Sequence, residues 1–149
     1  MTAPVLVFGY GNPSRGDDAL GPEFVRRLSE RMAPQIARGE LDVLTDYQLQ
    51  IEHALDLKGR HSVYFVDAST GGVDFDVRAV APRRDASFTS HLLSPEALLH
   101  TFEEVEQAAP PKAWVIAIRG ERFELGEPMS EGAEQHLELA LSAFQHTWA

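Results

Sequence analysis

The sequence contains no cysteine, few basic residues and no long apolar run. Without cysteine the chain has no disulfide, no thiolate ligand and no cysteine nucleophile, so any metal ligand must be a histidine, a carboxylate or a backbone oxygen. No apolar run approaches the ~20 residues needed to cross a bilayer, and the N-terminal segment lacks the basic region and cleavage site of a signal peptide. We therefore expect a cytoplasmic protein that does not associate with a membrane.

The charge is one-sided, with 13 lysine and arginine residues against 23 aspartate and glutamate residues, a formal net charge of −10. Nucleic-acid binding depends on basic side chains that displace counterions from phosphates, so we expect no nucleic-acid partner. The length of 149 residues and the hydrophobic content of 44% are typical of one globular domain, which we place at residues 1–149.

Apolar runs alternate with helical patterns along the chain. Short runs rich in branched and aromatic residues predict strands at 3–9, 41–47, 61–67, 73–80 and 113–120. Apolar residues at helical spacing predict helices that begin near residues 20, 50, 95 and 130. This order predicts an α/β protein, a three-layer α/β/α sandwich with a mainly parallel twisted sheet of about five strands and 73–80 near an edge. Sites in such sheets form beyond the carboxyl ends of the strands.

The first predicted strand runs into the loop "GYGNPSRGDDALGP", residues 9–22. Ser14 replaces the third glycine of a dinucleotide fingerprint, and Asp17 stands where a P-loop has lysine. Two carboxylates repel a phosphate and attract a cation, which excludes nucleotide binding as the expected role. Adjacent side chains at such a turn point in different directions, so one aspartate can stabilise the start of the next helix while the other, Asp18, faces the cleft.

Asp67 and His91 are two further candidate site residues. Asp67 ends the most apolar run of the chain, where burial of an unpaired carboxylate costs several kcal/mol, and we favour a functional role over an Asx turn closed through Thr70 or Gly71. His91 lies in the loop before the third helix, whereas the other five histidines are expected at the surface. Two carboxylates and an imidazole would suit zinc, nickel or a similar ion.

Five segments, taken together in this order, resemble the nickel-iron hydrogenase maturation endopeptidase family. They are "GYGNPSRGDDALG", "DYQLQIEHALDL", "VDAST", "SHLLSPEALL" and "IRGERFELGEPMS". The resemblance runs from about Val5 to Leu141, and Ala19 departs from the glycine that the family often has after the first acidic pair. "QLQIE" and "SHLLSPEALL" are more similar to the branch that processes bidirectional, NAD-reducing hydrogenases than to the uptake branch.

The resemblance implies a peptidase whose partner is the precursor of the hydrogenase large subunit. Such enzymes remove the C-terminal extension of the precursor after nickel insertion, so the metal is supplied by the substrate and no organic cofactor is implied. The family's metal-contacting and catalytic positions fall on Asp18, Asp67 and His91.

Supporting roles follow from the residues around these three. Gln48, Glu52, Asn12 and Asp17 are predicted to bind the substrate, with Asn12 also orienting the loop. Gly9, Gly11 and Gly16 are predicted to supply tight or positive-φ geometry. Two other readings stay open at this point: a generic metal-dependent hydrolase that binds its own metal, and a non-enzymatic nickel-site chaperone that grips the precursor without cutting it.

Overall fold

The computed structural model describes residues 2–84 and 93–148. The strands are β1 (Val5–Tyr10), β2 (Leu41–Asp46), β3 (Ser62–Ser69), β4 (Phe75–Val80) and β5 (Lys112–Arg119). The α-helices are α1 (Leu20–Arg31), α2 (Ala33–Ala37), α3 (Pro95–Glu106) and α4 (Glu131–Trp148). Two 3-10 helices, Gly16–Ala19 and Ile51–Leu57, follow β1 and β2.

The strands form one five-stranded sheet in the order β2-β1-β3-β5-β4. β1, β2, β3 and β5 are parallel, and only the β4–β5 pairing is antiparallel. The most apolar strands, β1 and β3, are neighbours in the interior of the sheet, whereas the alternating β4 lies at an edge with most of its residues exposed. The predicted sheet, including the position of residues 73–80, is confirmed.

Helices cover both faces of the sheet, which gives the three predicted layers. α1 and α4 pack on one face around Val7, Phe24 and Leu137. α3 and the 3-10 helix Ile51–Leu57 pack on the other face around Phe8 and Phe65. Because successive strand residues point to opposite faces, Val7 and Phe8 belong to different cores.

Capping serines begin two of the helices where the sequence predicts them. The Ser94 hydroxyl accepts a hydrogen bond from Ala97 N at 3.1 Å, with Pro95 in the first turn of α3. The Ser130 hydroxyl accepts one from Ala133 N at 3.2 Å, at the start of α4. The short helix α2, however, has no counterpart among the predicted elements, because five residues are too few to show helical periodicity.

None of the helices in the described part of the chain is both long enough and apolar enough to cross a membrane.

Candidate active site

A cavity of about 720 Å³ opens beyond the carboxyl ends of β1 and β3. It is lined by Tyr10, Gly11, Asn12, Arg15, Asp18, Tyr47, Gln48, Leu49, Asp67, Ala68, Thr70, Leu93, Ser94, Pro95 and Phe123. The lining residues come from the loop after β1, the segment after β2, the end of β3, the start of α3 and the loop after β5. The cavity thus lies at the sheet edge where parallel α/β proteins build their sites.

The loop after β1 is shaped by glycines with positive φ. Gly11 has φ +148°, and an added Cβ would collide with the carbonyl oxygen of Asp18. Gly16 has φ +53°, and an added Cβ would lie 2.5 Å from the Arg122 carbonyl oxygen. Gly9, in β1, instead allows the close approach of Gly21 in α1. The loop therefore folds tightly enough to return Asp18 to the end of β1.

Asn12 and Asp18 are joined within this loop. The backbone N–H of Asn12 donates to the Asp18 carboxylate at 2.6 Å, and the Asn12 side-chain oxygen accepts from Ser14 N at 2.9 Å. Both residues are half-buried and line the cavity. The second hydrogen bond is the side-chain-to-backbone contact that a turn asparagine makes.

Asp17 points away from Asp18 and is completely buried. Its carboxylate accepts hydrogen bonds from Glu121 N at 2.6 Å, Arg122 N at 2.9 Å and Ser130 N and Oγ, both at 2.7 Å. Burial alone would raise the pKa of Asp17, but these four donors outweigh burial and lower that pKa.

The substrate-binding role predicted for Asp17 is therefore wrong, because a fully buried carboxylate with four internal donors leaves no surface for a ligand. The expected helix cap is corrected as well. The start of α1 has no side-chain cap, and Asp17 instead contacts Ser130 at the start of α4.

Asp67 occupies a different environment, near the end of β3 and beside Tyr10 of β1. It is half-buried, and its carboxylate accepts a hydrogen bond from Ala68 N at 2.8 Å. The predicted alternative, an Asx turn through Thr70 or Gly71, does not form. Burial raises the pKa of Asp67 to about 6, the negative charge of Asp18 adds to the rise, and hydrogen bonds from Ala68 and the Tyr10 hydroxyl oppose it.

Tyr10 shares this environment. Burial raises the pKa of its hydroxyl far above the ordinary value, and the charge of Asp67 contributes to the same direction. Tyr10 follows Phe8 by two positions and Asp67 follows Phe65 by two, so both side chains lie on the face of the sheet that α3 covers. The raised pKa keeps the phenol protonated, so that the Tyr10 hydroxyl can donate to the carboxylate beside it.

The structure thus brings Asp18 and Asp67 to one cavity. His91, the third member of the predicted set, lies outside the described residues. Within residues 2–84 and 93–148 there is no cluster of three or more histidine, aspartate or glutamate side chains that could hold a metal ion. Carboxylate oxygens suit a hard or borderline cation, and two of them leave most of its coordination sphere for other ligands.

Of the remaining predicted contacts, Gln48 lines the cavity. Glu52 is not among the lining residues and is exposed on the 3-10 helix Ile51–Leu57, so its contact with a peptide stays a prediction. The cavity also contains Tyr10, Arg15 and Phe123, which sequence reasoning did not assign. Tyr10 and Arg15 belong to the segment 9–22, and Phe123 belongs to the segment "IRGERFELGEPMS", but none of the three was given a role there.

One histidine expected at the surface is buried and structural. His53 is 8% exposed, and its ring packs edge-on against Phe8 with 4.6 Å between ring centroids. Its Nδ1 accepts from Gln50 N at 2.8 Å, which places the proton on Nε2, 3.1 Å from the Asp46 carboxylate. The two ring nitrogens of His53 therefore hold both ends of the segment from Asp46 to Gln50. This segment includes the cavity residues Tyr47, Gln48 and Leu49.

Comparison with known proteins places the fold. No family model matches the sequence, and no curated protein matches it significantly. Among solved structures, the [NiFe] hydrogenase maturation protease HycI from Thermococcus kodakarensis KOD1 is 21% identical with a TM-score of 0.72, covering 97% of this chain and 91% of that one.

Two further structures agree. The hydrogenase maturating endopeptidase HybD from E. coli is 19% identical with a TM-score of 0.71, covering 99% of this chain and 91% of that one. The hydrogenase 2 maturation peptidase from Thaumarchaeota archaeon SCGC_AB-539-E09 is 22% identical with a TM-score of 0.67, covering 97% of each chain. The chain has the fold of these maturation proteases over nearly its whole length. At such identities the likeness establishes the fold, whereas activity depends on the residues of the site.

Proposed function

We propose that this protein is an endopeptidase that removes the C-terminal extension from the large-subunit precursor of a nickel-iron hydrogenase. The observation that carries the proposal is the meeting of Asp18 and Asp67 in one cavity at the carboxyl end of a sheet with the maturation-protease fold. A peptidase needs a group that orients or activates water and a site that holds the peptide in place, and this cavity offers carboxylates for the first and a groove for the second.

Nickel belongs to the substrate in this proposal. Asp18, Asp67 and, from the sequence resemblance, His91 would contact nickel already inserted into the precursor, so that the loaded metal centre positions the scissile peptide. Carboxylate and imidazole donors suit nickel. Within residues 2–84 and 93–148, Asp18 and Asp67 belong to no group of three such side chains, so these two carboxylates form a partial site that a precursor could complete. Specificity for the loaded precursor then arises from positioning.

The walls of the cavity supply the peptide-binding surface. Tyr47, Leu49, Leu93 and Phe123 present apolar surface, while Asn12 and Gln48 supply amide groups that can bond to a peptide backbone. Such a mixture of apolar walls and a few polar groups is typical of binding pockets. Residues around Gln48 belong to the segment that resembles the enzymes of bidirectional hydrogenases, and we propose a precursor of that class as substrate.

The test is a cleavage assay with purified protein and a nickel-loaded large-subunit precursor, followed by mass spectrometry of the precursor. The unmodified protein should release one C-terminal peptide. Asp18→Asn, Asp67→Asn and His91→Ala should each reduce the rate at least about 100-fold, as expected when a positioned metal or proton contact is lost. Asp76→Asn, in the exposed edge strand β4, is the control that should cleave normally.

A precursor that keeps its C-terminus in the presence of the unmodified protein would contradict the proposal and favour a chaperone. The same precursor without nickel should remain uncut. Equal cleavage of the loaded and nickel-free forms would refute recognition through the metal while leaving the peptidase activity intact. Metal analysis of the purified protein separates the remaining reading, because a stoichiometric resident ion would indicate a hydrolase with its own metal.

A further inference from the structure

Arg15 lies at the cavity on a segment whose backbone is fixed. Its N–H donates to the Asn12 carbonyl at 3.1 Å, and its carbonyl accepts from Asp18 N at 3.0 Å. The next residue, Gly16, donates from its N–H to the Glu127 carbonyl at 3.1 Å. The start of the Arg15 side chain is therefore held beside Asp18, while the side chain itself is exposed.

The charge around Arg15 is distinctive. Among the described residues that line the cavity it is the only basic one, and the charged residues that accompany it are Asp18 and Asp67. No ion pair joins Arg15 to a carboxylate in residues 2–84 or 93–148, whereas Arg27, Arg60 and Arg122 all have such partners. A guanidinium that lines a cavity and has no ion-pair partner among the described residues is available to a ligand.

We propose that Arg15 binds a carboxylate of the peptide that the cavity accepts, and so selects substrates that carry an anionic group near the cleaved bond. This inference rests on the proposed function. The planar guanidinium donates two parallel hydrogen bonds to a carboxylate, a geometry that lysine does not reproduce. Because the net charge of −10 repels anions in general, Arg15 supplies local attraction for a peptide carboxylate at the cavity.

The carboxylate has two possible sources in a C-terminal extension: an aspartate or glutamate side chain, and the terminal carboxylate of the chain. In the first experimental arm, every acidic residue of the extension is changed to its amide. In the second arm, a Gly-Ser tail is added after the last residue, which moves the terminal carboxylate away. Whichever change weakens binding to the unmodified enzyme identifies the source.

Arg15→Gln should raise KM about 10-fold or more with kcat changed less than about 2-fold, since a charge-assisted hydrogen bond made in both ground and transition states is lost. Arg15→Lys should recover part of the loss. The substrate change that weakens binding to the unmodified enzyme should not raise the KM of Arg15→Gln any further. This result would demonstrate that the guanidinium and that substrate carboxylate interact. Arg122→Gln removes the same charge from a neighbouring loop outside the cavity and should leave KM unchanged.

Direct binding provides a readout that does not need cleavage. The dissociation constant of the same precursor should rise about 10-fold in Arg15→Gln, and the difference should shrink as salt increases from 0.05 to 0.5 M, both as expected for a partly exposed ion pair. An unchanged KM and dissociation constant in Arg15→Gln, or an equal loss in both backgrounds for both substrate changes, would overturn the assignment. Absence of cleavage by the unmodified enzyme would instead refute the proposed function.

Discussion

Asp17 and Asp67 are both aspartates, but they lie in different parts of the molecule, and their surroundings shift their pKa values in opposite directions. Asp17 is completely buried yet receives four hydrogen bonds, and its pKa is lowered. Asp67 is half-buried with one backbone donor, Ala68 N, and burial, with a further contribution from the charge of Asp18, raises its pKa to about 6. Burial alone therefore does not decide the charge state of a carboxylate. The hydrogen-bond donors around the carboxylate also contribute, and their number distinguishes the structural Asp17 from Asp67, which is available for chemistry.

The largest effect is expected from removal of the anchor. Asp17→Ala leaves three backbone N–H groups and the Ser130 hydroxyl without their acceptor, and should lower the free energy of unfolding by about 3–5 kcal/mol. Urea titration measures the loss. A loss below about 1 kcal/mol would show that the loop from 120 to 130 is held by other contacts.

Asp17→Asn is the variant to use where the alanine variant does not fold, since the amide keeps one acceptor oxygen. The loss in free energy of unfolding of Asp17→Asn, relative to the unmodified protein, should depend on pH. The lowered pKa of Asp17 means that its stabilising contribution is present above the ordinary aspartate value of 3.8 and is lost as the pH falls through the folded-state pKa. The deficit relative to the unmodified protein should therefore shrink below about pH 4.

Asp67→Asn should behave in the opposite way and stabilise the protein. Because the pKa of Asp67 is raised from 3.8 to about 6, its ionisation opposes folding as the pH rises through that interval. We expect a gain on the order of 2 kcal/mol at pH 8 that disappears below about pH 4. Thermal unfolding at both pH values measures the change, and a variant less stable than the parent at pH 8 would contradict the raised pKa.

The two serine caps offer a smaller, matched comparison. Ser94→Ala removes one cap from α3 and should cost about 1 kcal/mol. Ser130→Ala removes the cap of α4 and also a hydrogen bond to the charged Asp17, and should cost about 2 kcal/mol. Urea titration of both variants tests the ratio, and equal losses would indicate that the Asp17 contact adds nothing.

The smallest effect on stability belongs to Asp18→Asn. The amide oxygen can still accept from Asn12 N, so the free energy of unfolding should change by less than about 0.5 kcal/mol apart from its effect on Asp67. Since the charge of Asp18 helps to raise the pKa of Asp67, that pKa should fall in the variant. An NMR titration of the Asp67 carboxyl follows this shift, and an unchanged value would show that the two carboxylates do not interact.

Much of the fold could be predicted because the signals are local. β1 and β3 are short apolar runs, β4 alternates, and Ser94 and Ser130 precede their helices. The placement of Asp18 and Asp67 at one cavity follows from the same source, since carboxyl ends of parallel strands meet at one edge.

The roles that could not be predicted depend on partners distant in sequence or on subtle loop geometry. The donors to Asp17 lie 104 to 113 residues further along the chain, and nothing in "GDDA" distinguishes which aspartate they will find. His53 resembles any helical histidine until the fold sets Phe8 against its ring and brings the Asp46 carboxylate to Nε2. Glu52 lies near Gln48 in sequence, but it is exposed on the 3-10 helix and is not among the residues that line the cavity.

The contact between Asp17 and Ser130 also orders events during synthesis. The loop that carries Asp18 emerges from the ribosome early, but its anchor is missing until Ser130 and the segment before it have been translated. A chain that ends before that point lacks all four donors to Asp17, so we expect the loop and the cavity to take their final shape only after the start of α4 has folded against them. The site is therefore expected to form at a late step of folding, since its closing contacts join residues 104 to 113 positions apart.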